Sequence, residues 1–374
     1  MRIGIISLPL HNNFGGILQA YALQKILNKL GHRAILVEKS RYVTLGHWYK
    51  RYPIYLKRAI RKYLFGENLI VKADVAINNT IKTIATHTEP FIDKYINRFF
   101  TKDFSNIKKE NFDAFVVGSD QVWRPQYFFS KIENAYLDFA KDWGVKRIAY
   151  AASFGTDEWE YNEEQTINCT ALLKKFDAVS VRESSAKVLC KEKLGAEAIH
   201  VLDPTMLLEK EDYIKLFKQT DTVQSNGNLF CYILDENIEK DAIISRISKD
   251  KVLNIFFVNS KYEEPDAPLE ERIQQPVEKW LRAFYDAEFV ITDSFHACVF
   301  SILFNKPFIV YGNKERGMAR FESLLTLFEL EDRLVSSPCE VNKVLQATID
   351  WDRVNSIRKQ KKEESLSFLR KNLN

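Results

Sequence analysis

The residues best suited to chemistry lie where apolar runs give way to polar ones. The sharpest case is Phe289-Val-Ile-Thr-Asp-Ser-Phe-His296, which reads as a buried strand leading through Ser294 into a helix that starts near the histidine. An imidazole at the mouth of a parallel sheet can give and take a proton, its ordinary pKa being about 6.5. A histidine that only caps or packs a helix start would occupy the same place. The next apolar run, Pro307 to Tyr311, ends in Gly312-Asn-Lys-Glu-Arg-Gly317, with Arg320 close behind. Lys314, Arg316 and Arg320 are therefore expected beside His296, a gathering of cations that suits a small polyanion, although a solvated surface turn has the same composition.

Three further segments could line the same site. Arg182 directly follows the run Ala178 to Val181, where a guanidinium would face a cleft and offer a planar fork to carboxylate or phosphate; a salt bridge to Glu183 or another acid is the plain alternative. Gly118-Ser-Asp-Gln-Val-Trp123 sets Ser119, Asp120 and Gln121 at a strand end as hydrogen-bonding groups for a sugar or phosphate, or merely as a capped turn. In Asn12-Asn-Phe-Gly-Gly16, Asn13 precedes two glycines, Gly15 and Gly16, that let a ligand approach the backbone, and the N–H groups of a helix start favour an anion. This is not a G-x-G-x-x-G fingerprint, and a plain strand-to-helix turn would look similar. No metal or other cofactor is expected. The D-x-D pair Asp350-Trp-Asp352 heads a terminal helix instead of ending a strand, and five scattered cysteines form no C-x-x-C pair.

The elements that must position these residues follow from hydrophobic periodicity. Apolar runs at Ile3 to Ile6, Ala34 to Val37, Ala114 to Val117, Arg147 to Ala151, Ala178 to Val181 and Ala198 to Leu202 read as buried parallel strands. A helix over Ile17 to Leu30, closed by Gly31, links the first two. The polar stretch Lys218 to Asn228 reads as a linker. Beyond it, strands at Leu229 to Leu234, Val252 to Val258, Phe289 to Thr292 and Pro307 to Tyr311 alternate with helical patterns at Ile238 to Ser248, Val277 to Tyr285, His296 to Phe304 and Phe321 to Phe328. The expected fold is α/β, with two Rossmann-like doubly wound domains over 1–217 and 218–350 facing a cleft, and a C-terminal helix over 351–374.

At 374 residues, 46% hydrophobic and 28% charged, the chain is too long for one ordinary domain and too apolar for disorder. A net charge of +4 gives no argument for nucleic acid as a partner. The apolar start around Gly4 to Leu10 is short and broken by Pro9, so it reads as a strand instead of a signal peptide. Unpaired cysteines suit a reducing cytoplasm. One segment stands apart: Arg41 to Phe65 holds seven Lys/Arg, no acid and many aromatics, which suits an anionic membrane surface, a nucleic-acid backbone, or an ordinary solvated helix with its aromatics turned inward. Lys57, Arg58, Arg61 and Lys62 are the cations that would meet such a surface.

Taken in order, Asn13-x-Gly15 with Leu18-Gln19 and Ala22-Leu23, Gly118-Ser-Asp-Gln-Val-Trp123, Val181-Arg-Glu183, Val201-Leu-Asp-Pro204 and Thr292-Asp-Ser-Phe-His296 with Pro307 resemble the polysaccharide pyruvyl transferase family. The resemblance runs from residue 1 to about residue 325. It implies a GT-B-like fold and transfer of pyruvate from phosphoenolpyruvate onto a sugar of a cell-surface polysaccharide or its lipid-linked, polyprenyl-carried precursor, as a cyclic ketal with release of phosphate. It implies His296, Arg182 and Lys314 as catalytic; with the cysteines it gives a cytoplasmic enzyme, and a polyprenyl-carried acceptor together with the basic segment at 41–65 gives peripheral contact with the inner membrane face. Many members carry Arg-Leu-His where this chain has Ser294-Phe-His296. Either Arg316 or Arg320 takes the place of that arginine, or the anion is held differently, or the donor is another compound. The competing readings are a GT-B glycosyltransferase that uses a sugar nucleotide, and a non-catalytic module that binds anionic glycans.

Overall fold

Short apolar segments flanked by turn residues become strands wherever helices can cover both faces, and two such sheets form here. The computed structural model describes residues 1–39, 42, 48–128, 130–312 and 317–374. The first sheet comprises β1 (Arg2–Ile6), β2 (Arg33–Lys39), β3 (Arg98–Thr101), β4 (Ala114–Val117), β5 (Lys146–Ala152), β6 (Ala178–Val181) and β7 (Ile199–His200), in the order β3-β2-β1-β4-β5-β6-β7. The second comprises β8 (Leu229–Tyr232), β9 (Ile255–Phe257), β10 (Phe289–Thr292), β11 (Phe308–Tyr311) and β12 (Leu334–Val335), in the order β12-β11-β10-β8-β9. Every strand pair is parallel. The protein is thus α/β with two Rossmann-like sheets, GT-B-like in that their strand ends face one cleft.

Several boundaries differ from the periodicity, for local reasons. The expected strand Val252 to Val258 shrinks to β9 because the preceding helix runs on to Lys251 and Val252 closes it in the left-handed region at φ 54°. The run Ala198 to Leu202 keeps only two strand residues, since the Leu202 N–H leaves the sheet for Ser365 Oγ. The first helix begins earlier than its apolar face, at Phe14, because the Asn13 side chain caps it by accepting from the Gly16 N–H at 3.2 Å. Within the irregular stretch after β2 lie three helices, Trp48–Phe65, Ala73–Ile84 and Thr88–Tyr95.

The two halves share one apolar core. Phe14, at the start of the first helix, stacks on Trp280 of helix Val277–Asp286 with centroids 5.4 Å apart. Tyr213 of helix Lys210–Lys218 meets Phe300 of helix Phe295–Leu303 at 4.9 Å. The last helix, Trp351–Leu373, turns back onto the first half: Ser365 takes the Leu202 N–H, Arg358 pairs with Glu209, and Phe368 packs near Tyr150. This continuity fixes one sheet's strand ends against the other's. The five cysteines are unpaired and all but Cys339 are buried.

Candidate active site

Parallel strands aim the loops at their carboxyl ends outward, and ligands collect where neighbouring strands send their connections to opposite faces. In the first sheet that point lies between β1 and β4, in the second between β10 and β8. The two switch points face each other across a cavity of about 440 Å³. Its wall includes Asn13, Gly15 and Gly16 after β1, Asp120 and Gln121 after β4, Tyr232 at the end of β8, Ser294 and His296 after β10, and Arg320. Residues predicted from four separate segments are therefore brought together. Lys314 and Arg316 lie outside the described residues.

His296 is the second residue of helix Phe295–Leu303, so its ring is anchored by a buried helix rather than a loop. Its Nε2 lies 3.7 Å from Asp203 Oδ2, an ion-pair distance when the ring is protonated, and has no hydrogen-bond partner among the described residues. The opposite edge of the ring packs on Gly15. A Cβ there would lie 2.1 Å from His296 Nδ1 and 2.3 Å from Cγ, so only glycine permits this approach. Gly15→Ala is accordingly expected to cost about 1–3 kcal/mol of stability through overpacking. Much of that loss should be recovered in the Gly15→Ala/His296→Ala double variant, which urea unfolding of the four proteins would reveal. Strictly additive losses would mean that the two residues do not press on one another.

Asp203 joins the cavity floor to a buried ionic network. Its Oδ1 accepts from the Thr205 N–H at 3.0 Å and the Thr205 hydroxyl at 2.7 Å; its Oδ2 accepts from Arg182 at 3.0 Å and from Ser119 Oγ at 3.4 Å. Burial alone would raise this carboxyl. The facing His296, the Arg182 guanidinium and the Thr205 N–H outweigh it and hold Asp203 well below the usual carboxylate range. Asp203 therefore stays ionised and can stabilise a positive imidazole.

Arg182 does not line the cavity, contrary to the expectation that it faces the cleft. Its side chain is 2% exposed and is held between Asp203 and, at 3.4 Å, Asp120 Oδ1. Two carboxylates within reach make this inward position the less costly one, since a buried guanidinium needs compensating charge. Burial would lower its pKa, but Asp203, Asp120 and Glu183 reverse the shift and raise it. Ser119 is likewise buried behind the wall. It follows Gly118, which has φ 133° and where a Cβ would stand 2.0 Å from the Tyr150 carbonyl oxygen, so glycine is required for the β4 loop to lie against β5.

Among the described residues Arg320 supplies the cation in the wall. Its Cζ lies over the Phe295 ring at 5.4 Å from the centroid, and Arg182 Cζ lies over the same ring at 4.6 Å. Burial first, then the neighbouring Arg182 charge, pushes Arg320 down to about 10, so it remains cationic at neutral pH. In the sequence Asp203 stands only as part of Val201 to Pro204, and a carboxylate followed by proline just past a strand is the one signal of its place here. Asp293 is also a structural anchor, accepting from the Leu234 and Asp235 N–H groups and from Lys240. Trp280 and Tyr232, missed as well, give the cavity its aromatic side. Among the described residues no three His, Cys, Asp or Glu side chains group so as to hold a metal ion.

Two Rossmann-like halves thus bring an imidazole, a carboxylate and guanidiniums together between their facing sheets in a GT-B-like arrangement. The chain belongs to the polysaccharide pyruvyl transferase family, whose family model matches residues 13–315. Curated proteins gave no match. Among solved structures it is similar to the UDP-GlcNAc 2-epimerase of Neisseria meningitidis bound to UDP-GlcNAc, at 10% identity over 98% of this chain and 94% of that one with a TM-score of 0.47. It is also similar to the UDP-GlcNAc 2-epimerase of Methanocaldococcus jannaschii (14%, 94% and 93%, 0.46) and to sucrose-phosphate synthase of Thermosynechococcus elongatus (10%, 98% and 94%, 0.48).

Proposed function

We propose that this protein transfers the pyruvyl group of phosphoenolpyruvate to a sugar of a cell-surface polysaccharide or of its lipid-linked precursor, as a cyclic ketal, with release of phosphate. The observation that carries this reading is Arg320 and His296 in the wall of one cavity, with Asp203 behind the imidazole, in a chain of this family. The reaction adds one proton to the enol methylene carbon, which makes the adjacent carbon electrophilic. A first sugar hydroxyl adds there. The bond from that carbon to the phosphate oxygen then breaks, phosphate leaving with the electron pair, and a second hydroxyl adds to the same carbon. The two hydroxyls lose two protons; the methyl group keeps one and phosphate carries the other away.

In this scheme His296 delivers and collects the proton, and ionised Asp203 steadies the imidazolium between steps. Arg320 bonds the carboxylate or phosphate of the donor, taking the place of the arginine that other members carry two residues before the histidine. Arg182 is a positioning residue: it holds Asp203 ionised and in place. Asn13, Gln121 and Ser294 offer hydrogen bonds to the acceptor sugar. The same reading puts the reaction in the cytoplasm, at the inner face of the membrane where a lipid-linked acceptor would be met. Among the described residues no helix is long and apolar enough to cross a membrane.

Phosphate release from phosphoenolpyruvate in the presence of a panel of galactosides and mannosides tests the reaction. Turnover only with a sugar nucleotide would favour the glycosyltransferase reading instead, and ligand binding without phosphate release the non-catalytic one. Arg320→Ala is expected to weaken phosphoenolpyruvate binding by about 1.5–3 kcal/mol, the loss of a charge-assisted hydrogen bond, as read by calorimetry. Unchanged affinity would mean that the donor anion is held elsewhere.

A further inference from the structure

Among the described residues, helix Trp48–Phe65 meets the body through the side that carries Tyr55. Tyr55 donates to both carboxylate oxygens of Asp74 at 2.8 Å, and Arg51, Arg58 and Ala59 lie half-buried on the same side. The spacing of three and four residues from Tyr49 through Tyr52, Leu56 and Ile60 to Tyr63 lines up an apolar stripe on one helical face. In a water-soluble helix such a stripe turns to the core. Here it faces out: Leu56 is 63% exposed, Tyr63 75% and Leu64 76%, with Tyr49, Tyr52, Ile60 and Phe65 also exposed. The expectation that these aromatics pack inward does not hold.

What could cover the stripe is constrained by its margin. Lys57 and Lys62 stand exposed beside it, and from Arg41 to Gly66 the sequence contains no acid. Arg61, exposed as well, pairs with Glu67, and Arg58 is half-buried; among the described side chains of the helix, Lys57 and Lys62 stand at the surface beside it. The cores of protein–protein interfaces are depleted in lysine, whereas a helix lying in a bilayer surface combines an apolar stripe with flanking lysines and tyrosines at headgroup level. The helix is linked to the cavity wall through the helix that follows it. Asp74, its anchor, belongs to helix Ala73–Ile84, whose last carbonyl accepts from the Gln274 N–H; Gln274 in turn donates to the carbonyl of Asn12, in the cavity wall.

We infer that helix Trp48–Phe65 docks on an anionic lipid bilayer, inserting Leu56, Ile60, Tyr63 and Leu64 among the acyl chains while Lys57 and Lys62 meet the headgroups. This holds the cavity rim at the membrane face, where a lipid-carried acceptor would present its sugar. The lipid contact stands on the helix alone and deepens the proposed reaction by naming the surface on which it proceeds.

The full-length protein is to be sedimented with vesicles of mixed phosphatidylglycerol and phosphatidylcholine, and with vesicles of phosphatidylcholine alone, at low salt. Partitioning should favour the anionic vesicles by at least about tenfold and fall as ionic strength rises. Leu56→Ser/Ile60→Ser/Leu64→Ser should reduce binding about tenfold or more, and Lys57→Glu/Lys62→Glu should do the same. All five positions are exposed, so circular dichroism should be unchanged. Phosphate release with a soluble sugar should be unaffected, which separates failure of lipid docking from failure of the proposed reaction. Equal sedimentation with both vesicle types, or with neither, overturns the inference. So does a dimer that the triple serine variant dissociates without any vesicle binding, since a second copy would then be the cover.

Discussion

Replacing His296 by glutamine or alanine is expected to lower turnover by about 10²–10⁴ while leaving phosphoenolpyruvate affinity largely intact. The ring sits where a proton must be delivered and withdrawn, so its loss acts on the barrier more than on the bound ground state. The geometry also makes the control necessary. Because the ring is packed against Gly15 and buried in the floor, His296→Ala leaves a void that could disturb the helix start. Glutamine fills more of that space and keeps hydrogen-bonding capacity without titrating near neutral pH. If both folded variants release phosphate at the parent rate, His296 has no part in proton transfer. A loss confined to donor affinity would make it a binding group instead.

Arg182→Ala should be the most destabilising single substitution in the site, costing about 3–5 kcal/mol, because it leaves Asp203 and Asp120 buried without their shared cation. The ion pair itself need not stabilise the fold by that amount; the cost is that of an uncompensated buried charge. Asp203→Asn in the Arg182→Ala background should therefore restore part of the loss, and a double-mutant cycle by denaturant unfolding measures how much. A pH dependence follows with a definite sign. The contribution of ionised Asp203 is fully present above the ordinary carboxylate range and is lost as pH falls through its depressed value. Removing Arg182 raises that value, so the variant should begin to lose stability at a higher pH than the parent, and the acid limb of its rate profile should move up in the same direction. Stability within about 1 kcal/mol of the parent would show that neighbouring groups hold Asp203 without Arg182, a smaller effect than the breaking of a buried pair allows.

Much of the scaffold was legible because parallel strands covered on both faces must be apolar throughout. Ala114-Phe-Val-Val117, Phe289-Val-Ile-Thr292 and Ala178-Val-Ser-Val181 announce themselves, and the residues just past them must lie at the carboxyl edge. The same logic placed His296, Asp120 and Gly15 at strand ends. The segment after β2 was not legible in this way, since its main helix has an unburied apolar stripe and carries Pro53, so periodicity there has no core to report. The edge strands β3 and β12 escaped for another reason: each has one pairing neighbour, β3 is bounded by Arg98 and Thr101 instead of being apolar throughout, and β12 has only two residues.

By itself, then, the sequence determined the buried central strands and the helices that cover them, and which chemically able residues those elements deliver to their ends, because both follow from local periodicity and turn chemistry. Only the tertiary structure decided which of those residues meet. That Arg182 turns inward to Asp203 and Asp120, that His296 lies on Gly15 with its other edge toward Asp203, and that Arg320 comes over Phe295 all depend on Phe14 seating against Trp280 and locking one sheet to the other. Contacts between residues so distant along the chain are selected by close packing and by the cost of burying unpaired charge, and neither can be evaluated until the chain has closed on itself.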